Sequence, residues 1–122
     1  MYRISSDLDL RDTVGSEVEQ IRLGRSDVQF VFGSGTTICV QSRVTLVERG
    51  DTIAEWDEEK NWTSLDFQRL LMIEVLSYAL PQERLLEIHF AGGLALQLHD
   101  DSDQFESMQI YLRGSANGPI VV

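Results

Sequence analysis

This 122-residue chain contains one cysteine, Cys39, one lysine, Lys60, and half as many bases as acids. A lone cysteine excludes an intrachain disulfide and any zinc site built on several thiolates. Within the apolar stretch TTICV it reads as a small packed residue rather than a nucleophile. Lys60 does not belong to a G-x-x-x-x-G-K-[ST] loop, and no G-x-S-x-G elbow occurs, so neither a P-loop nor an α/β-hydrolase nucleophile is encoded. No run approaches the ~18 apolar residues of a membrane span. The opening MYRISSDLDL has no basic head followed by an apolar run, so the cytoplasm is the expected location. Ten Lys+Arg against twenty Asp+Glu give a formal net charge of −10. Such a field repels phosphate backbones and anionic membranes, which argues against nucleic acid or a membrane as partner and is compatible with a basic protein.

What is present is a pattern of short strands. At this length, with 43% hydrophobic residues, one domain over residues 1–122 is expected. Leu86, Ile88 and Phe90 alternate with Glu87 and His89; after Ala91–Gly93 come Leu94, Leu96 and Leu98, alternating with Ala95 and Gln97. Period two with one apolar face is a half-buried antiparallel hairpin. Cross-strand partners share a face, so Phe90 should oppose Leu94, and the glycines of the loop supply the positive φ a tight turn needs.

The same plan occurs upstream. Val28, Phe30 and Phe32, then Thr36, Ile38 and Val40, match the later hairpin at an offset of 58. Before each hairpin, Val18, Ile21 and Leu23 match Val75, Tyr78 and Leu80 at an offset of 57. The fold class expected is therefore α+β and mainly antiparallel β. It comprises two β-meander repeats of about three strands each, approximately residues 10–48 and 65–112, related by a pseudo-two-fold and carrying one or two short helices. The better helix candidate is TSLDFQRLLMI, with a capping-box-like Thr63 and Asp66 and a stripe of Leu65, Leu70, Leu71 and Ile73, switching to strand near Ile73. DLRDT near the N-terminus is placed to hold the matching turn. Between the repeats, Val44–Glu48 and Thr52–Trp56 read as strands around a turn at Arg49–Asp51; ESMQIYL is a further strand, and IVV a short edge or a frayed end.

With its V-x-x-I-x-L and V-x-F-x-F-x-x-G-T-x-I-x-V plan, a T-L strand, a G-D turn, a second copy introduced by L-L, and a closing FESMQIYL, the chain resembles the small bacterial DUF6188 family, domains of unknown function. The resemblance runs from about Val14 to Leu112, with Gly35, Gly93, Phe105 and Glu106 as the matching positions; Met108 and the WDEEKNW loop depart from it. It implies the fold and no activity.

Both histidines, His89 and His99, fall in the second hairpin and its exit, HDDSDQFES. An EF-hand counted from Asp101 fails, since its fifth, sixth and twelfth residues are Phe105, Glu106 and Leu112. The hairpin register sets His89 opposite Ala95 and His99 opposite Leu85, on one face but far apart, so they should not share an ion. Strand parity leaves His99, Asp101 and Asp103 on one side, a weaker metal candidate than a solvated acidic rim. No catalytic residue, cofactor or metal is expected, and the protein reads as a non-enzyme.

Two acidic clusters remain. Asp51–Lys60 has five acids and one base; His99–Glu106 has four acids and no base. Trp56 and Trp62 flank the WDEEKNW loop, and tryptophan with desolvated acids is an interface composition. The candidate partner-binding residues are Trp56, Asp57, Glu58, Glu59, Trp62, Asp100, Asp101 and Asp103. A small acidic domain without catalytic apparatus fits a bacterial immunity protein, which neutralises a cognate basic toxin such as a nuclease by covering it, as a monomer or weak dimer. The competing readings are a housekeeping domain that forms a homo-oligomer through a sheet edge, and a small-ligand binder using the groove between the repeats.

Overall fold

The computed structural model describes residues 4–57, 66–101, 107–112 and 120–122. Among these residues ten antiparallel strands run in order: β1 (Val18–Leu23), β2 (Val28–Phe32), β3 (Thr37–Val40), β4 (Arg43–Glu48), β5 (Asp51–Trp56), β6 (Val75–Gln82), β7 (Leu85–Phe90), β8 (Leu94–His99), β9 (Met108–Tyr111) and β10 (Ile120–Val121). They form two five-stranded sheets, β1-β2-β3-β9-β10 and β5-β4-β8-β7-β6. The chain crosses from the first sheet to the second between β3 and β4 and returns between β8 and β9.

The period-two pattern decides which side of each sheet is covered. Val28, Phe30 and Phe32 of β2, Leu86, Ile88 and Phe90 of β7, and Leu94, Leu96 and Leu98 of β8 are all buried, in one cluster drawn from both sheets. The alternating partners remain on the outer faces. Phe90 pairs with Leu94, His89 with Ala95 and Leu85 with His99, the register the sequence implies. Gly92 and Gly93 turn that hairpin at φ of 86° and 83°. Arg49 and Gly50, at φ of 49° and 92° between the paired Glu48 and Asp51, form the two-residue turn with both central φ positive that matches strand twist. Ile4, Leu8 and Leu10 also enter the core, a contribution the polar N-terminal sequence conceals.

The helical part of the expected class is corrected. Among the described residues there is no α-helix, only 3-10 turns at Arg11–Thr13 and Asp66–Leu70. The second buries Phe67 and Leu70, then stops because Met72 takes a φ of 68° and Leu71 and Glu74 bridge to Val18 and Glu17. A five-residue segment cannot recover the cost of helix nucleation, and backbone pairing to β1 outcompetes further turns. The proposed cap residue Thr63 and Leu65 lie outside the described residues. The chain is in the β state at Val75, close to the expected switch.

Several backbone hydrogen bonds recur 57 residues apart. Val14 N–H donates to Arg11 O and Leu71 N–H to Gln68 O; Ser16 donates to Thr13 O and Ile73 to Leu70 O. Gly15 N–H donates to Val75 O, while Met72 N–H donates to Val18 O, each turn thus reaching the other's strand. Both positions have positive φ, 88° at Gly15 and 68° at Met72. β1 and β6 each also have a bulge after the first core residue, between Val18 and Gln20 and between Val75 and Ser77.

Candidate functional site

The outer face of the second sheet gathers most of the chain's distinctive polar residues, because the alternation that buries the Leu residues of β8 turns Gln97 and His99 outward beside Arg43 and Thr45 of β4 and Glu87 and His89 of β7. They form one hydrogen-bonded ladder. His89 Nε2 lies 2.9 Å from Glu87 Oε1, and Gln97 Nε2 donates to Glu87 Oε2 at 2.9 Å. Thr45 Oγ1 donates to Gln97 Oε1 at 2.8 Å and lies 3.0 Å from His99 Nε2. Arg43 Nη2 lies 3.2 Å from His99 Nδ1, and Arg43 Nε donates to Asp101 Oδ2 at 2.8 Å.

Proton counting fixes the roles. With the Gln97 amide nitrogen on a carboxylate, its oxygen must take the single Thr45 proton. Thr45 therefore accepts from His99 Nε2–H, and His99 Nδ1 accepts from Arg43. The neutral Nε2–H ring alone satisfies every contact. Accordingly, burial, reinforced by the Arg43 charge and opposed by Asp101 and Glu55, lowers the His99 pKa below the usual histidine value.

Arg43 also bears on the metal candidate. Its guanidinium lies between His99 and Asp101, the space an ion would need. Asp103 is outside the described residues, and among the described ones no cluster of three or more His, Cys, Asp or Glu is arranged for a metal.

The candidate partner-binding residues separate into three groups. Trp56 is 3% exposed and packs in the core on the strand paired to Val44, and Asp100 is 1% exposed. Asp100 accepts from the Ser107 hydroxyl at 2.5 Å and lies 3.8 Å from Arg84 Nε, which donates to its backbone carbonyl at 2.7 Å. It fastens the end of β8 to the start of β9. Both side chains are thus removed from a partner-facing surface. Glu58, Glu59, Trp62 and Asp103 lie outside the described residues. Asp57 and Asp101 are accessible at the surface.

The sheet brings those two together. β4 lies between β5 and β8, with Val44 opposite both Trp56 and Leu98, and Arg43 opposite His99. The ends of β5 and β8, which lead into the two acidic sequences, are therefore at the same end of the sheet, two strand spacings or ~10 Å apart. Glu55, opposite Thr45, adds a third carboxylate. Sequence reading identified both clusters but not their adjacency, which depends on β4 inserting between β5 and β8.

Cys39 donates its thiol to Asp27 Oδ2 at 3.1 Å, and burial together with that carboxylate pushes its pKa up to about 12. It is no nucleophile at neutral pH. At the opposite end of the second sheet's outer face, an open depression of about 600 Å³ is lined by Val47, Leu76, Glu87, His89, Ala95 and Gln97, with Arg49 and Gly93 also at its wall. No helix among the described residues is long and apolar enough to cross a membrane. Comparison with family models, curated proteins and solved structures finds no match.

Proposed function

We propose that this protein is a non-enzymatic binding protein of the immunity type, which neutralises a basic toxin domain through the acidic end of its second sheet. The convergence of the ends of β5 and β8 on either side of Arg43 carries the reading. Two acidic sequences ~10 Å apart lie at about one Debye length in physiological salt, so they act on an approaching partner as one field. Arg43 is neutralised locally by Asp101, 2.8 Å away. The overall formal charge of −10 extends the same sign over the molecule. The experiment is co-expression with any basic toxin domain found encoded beside the gene, scoring growth and recovery of a stoichiometric complex. Rescue with co-purification supports the reading; failure of both removes it.

The DUF6188 resemblance is retained as part of this proposal on the residues that carry it. So is the repeat, expected as two meanders of about three strands over approximately residues 10–48 and 65–112, and extended here to two copies of one five-strand unit, β1–β5 and β6–β10. The strand orders support it, since in each sheet the first three strands of one unit are followed by the last two of the other, β9-β10 beside β3 and β4-β5 beside β8. The hydrogen bonds and bulges recurring at an offset of 57 support it further.

A further inference from the structure

The depression on the outer face of the second sheet contains a carboxylate that, among the described residues, has no arginine or lysine against it. The Glu87 side chain is only 18% exposed. Its oxygens take one contact each, from the His89 ring and the Gln97 amide. Among the described residues no guanidinium or ammonium group forms an ion pair with it, whereas Asp9, Glu48 and Asp101 each have an arginine. Burying a carboxylate without a full countercharge is costly, and proteins usually arrange one.

Glu87 and His89 retain acceptor capacity toward the depression. Gln97 is fixed at both ends by Glu87 and Thr45. His89 directs Nε2 to Glu87, so in the neutral ring Nδ1 is a further acceptor. Each Glu87 oxygen retains a lone pair. Val47, Ala95 and the exposed Leu76 supply apolar wall beside these acceptors. Among the described residues Arg49 is the one arginine or lysine of the lining: its stem crosses Gly93, where a Cβ would lie 3.0 Å from Arg49 Cγ. Its charge also acts on Glu48, whose carboxyl is held low chiefly by the Arg69 hydrogen bond.

We propose that this depression receives one cationic side chain, the guanidinium or ammonium of a basic protein partner, with its charged head on Glu87 and its aliphatic stem against Val47, Ala95 and Leu76. The identity of the partner rests on the function proposed above; the cation site rests on Glu87 and its surroundings. The ladder from Glu87 through Gln97, Thr45 and His99 to Arg43 makes the depression and the acidic end parts of one continuous face.

The test is an NMR titration of the full chain with N-acetyl-arginine methylamide, following the His89 ring nitrogens and the Gln97 side-chain amide. N-acetyl-glutamate methylamide at matched ionic strength is the comparison. A saturable millimolar response to the arginine probe alone is expected, weakened at least ~10-fold, or ~1.4 kcal/mol, by Glu87→Gln. Ala95→Leu, which fills the floor while retaining the carboxylate, should weaken it as well. A linear response, an undiminished response in both variants, or saturation by the acidic probe overturns the site. The two proposals fail separately. If Asp57→Lys/Asp101→Lys slows binding of a basic toxin and Ala95→Leu leaves its affinity unchanged, the depression is not a contact and the acidic end stands. If the arginine probe saturates while charge reversal changes nothing, the acidic end falls and the cation site is supported.

Discussion

Replacing Asp100 by alanine should damage the fold and leave the partner-facing surface intact. The carboxylate is 1% exposed and accepts from Ser107, itself fully buried, at 2.5 Å. Truncation strands the Ser107 hydroxyl in the interior, which costs about 1–3 kcal/mol. The Arg84 contact, 3.8 Å long and with the Arg84 side chain 33% exposed, adds under about 1 kcal/mol because solvent screens it. The combined loss is about 3 kcal/mol, or a fall in melting temperature of about 10 °C for a domain of this size. Asp100→Asn keeps an acceptor oxygen for Ser107 and should lose only about 1 kcal/mol. Urea unfolding at neutral pH measures both, with an unchanged slope expected if only native-state stability is altered. If Asp100→Ala stays within about 0.5 kcal/mol of wild type while binding of the proposed basic partner collapses, the residue is a surface contact and its burial is wrong.

Further outcomes follow from the same structure. His99 has a lowered pKa in the folded state, so above its unfolded value of about 6.5 the ring is neutral in both states and its contribution is fully present. As pH falls below that value the unfolded chain takes the proton first, and stability declines until the folded pKa is passed; the difference in urea midpoint between wild type and His99→Gln should therefore change over this interval and be flat above it. Cys39, its pKa raised to about 12, should resist a thiol reagent at mildly alkaline pH in the native protein and react on denaturation, so stoichiometric native labelling would contradict its burial against Asp27. If the chain is two exchanged five-strand units, separately expressed halves divided in the 58–65 segment should regain native β circular dichroism only when mixed, because each sheet needs strands from both; a half that folds alone as a monomer would refute the exchange.

The strands were legible because alternation is a strong local signal: Leu86 to Leu98 specified face, turn and register together. The turn glycines and the Arg49–Gly50 hairpin were equally local. The helix was not, because Leu70–Ile73 has helical propensity in isolation and is diverted by pairing with Val18, a contact across more than fifty residues. Trp56 and Asp100 were misplaced for a related reason. A tryptophan beside acids, or an aspartate in an acidic run, has the same sequence whether strand parity and a partner beyond the run, such as Ser107, bury it or leave it exposed. The ladder linking Arg43, Thr45, Glu87, His89, Gln97 and His99 was only half visible. The shared face of the histidines could be read from the hairpin, but β4 as the strand between β5 and β8 required the sheet order.

The most direct measurement is the rate of association with a basic toxin domain recovered in the co-expression experiment proposed above, by stopped flow at low and high salt, for wild type and Asp57→Lys/Asp101→Lys checked for native circular dichroism. An acidic docking end predicts an on-rate at least ~10-fold slower for the charge-reversed protein, with a shallower salt dependence and a dissociation rate that changes less. An unchanged on-rate and salt slope in the folded variant would place the contact elsewhere and contradict the proposed surface.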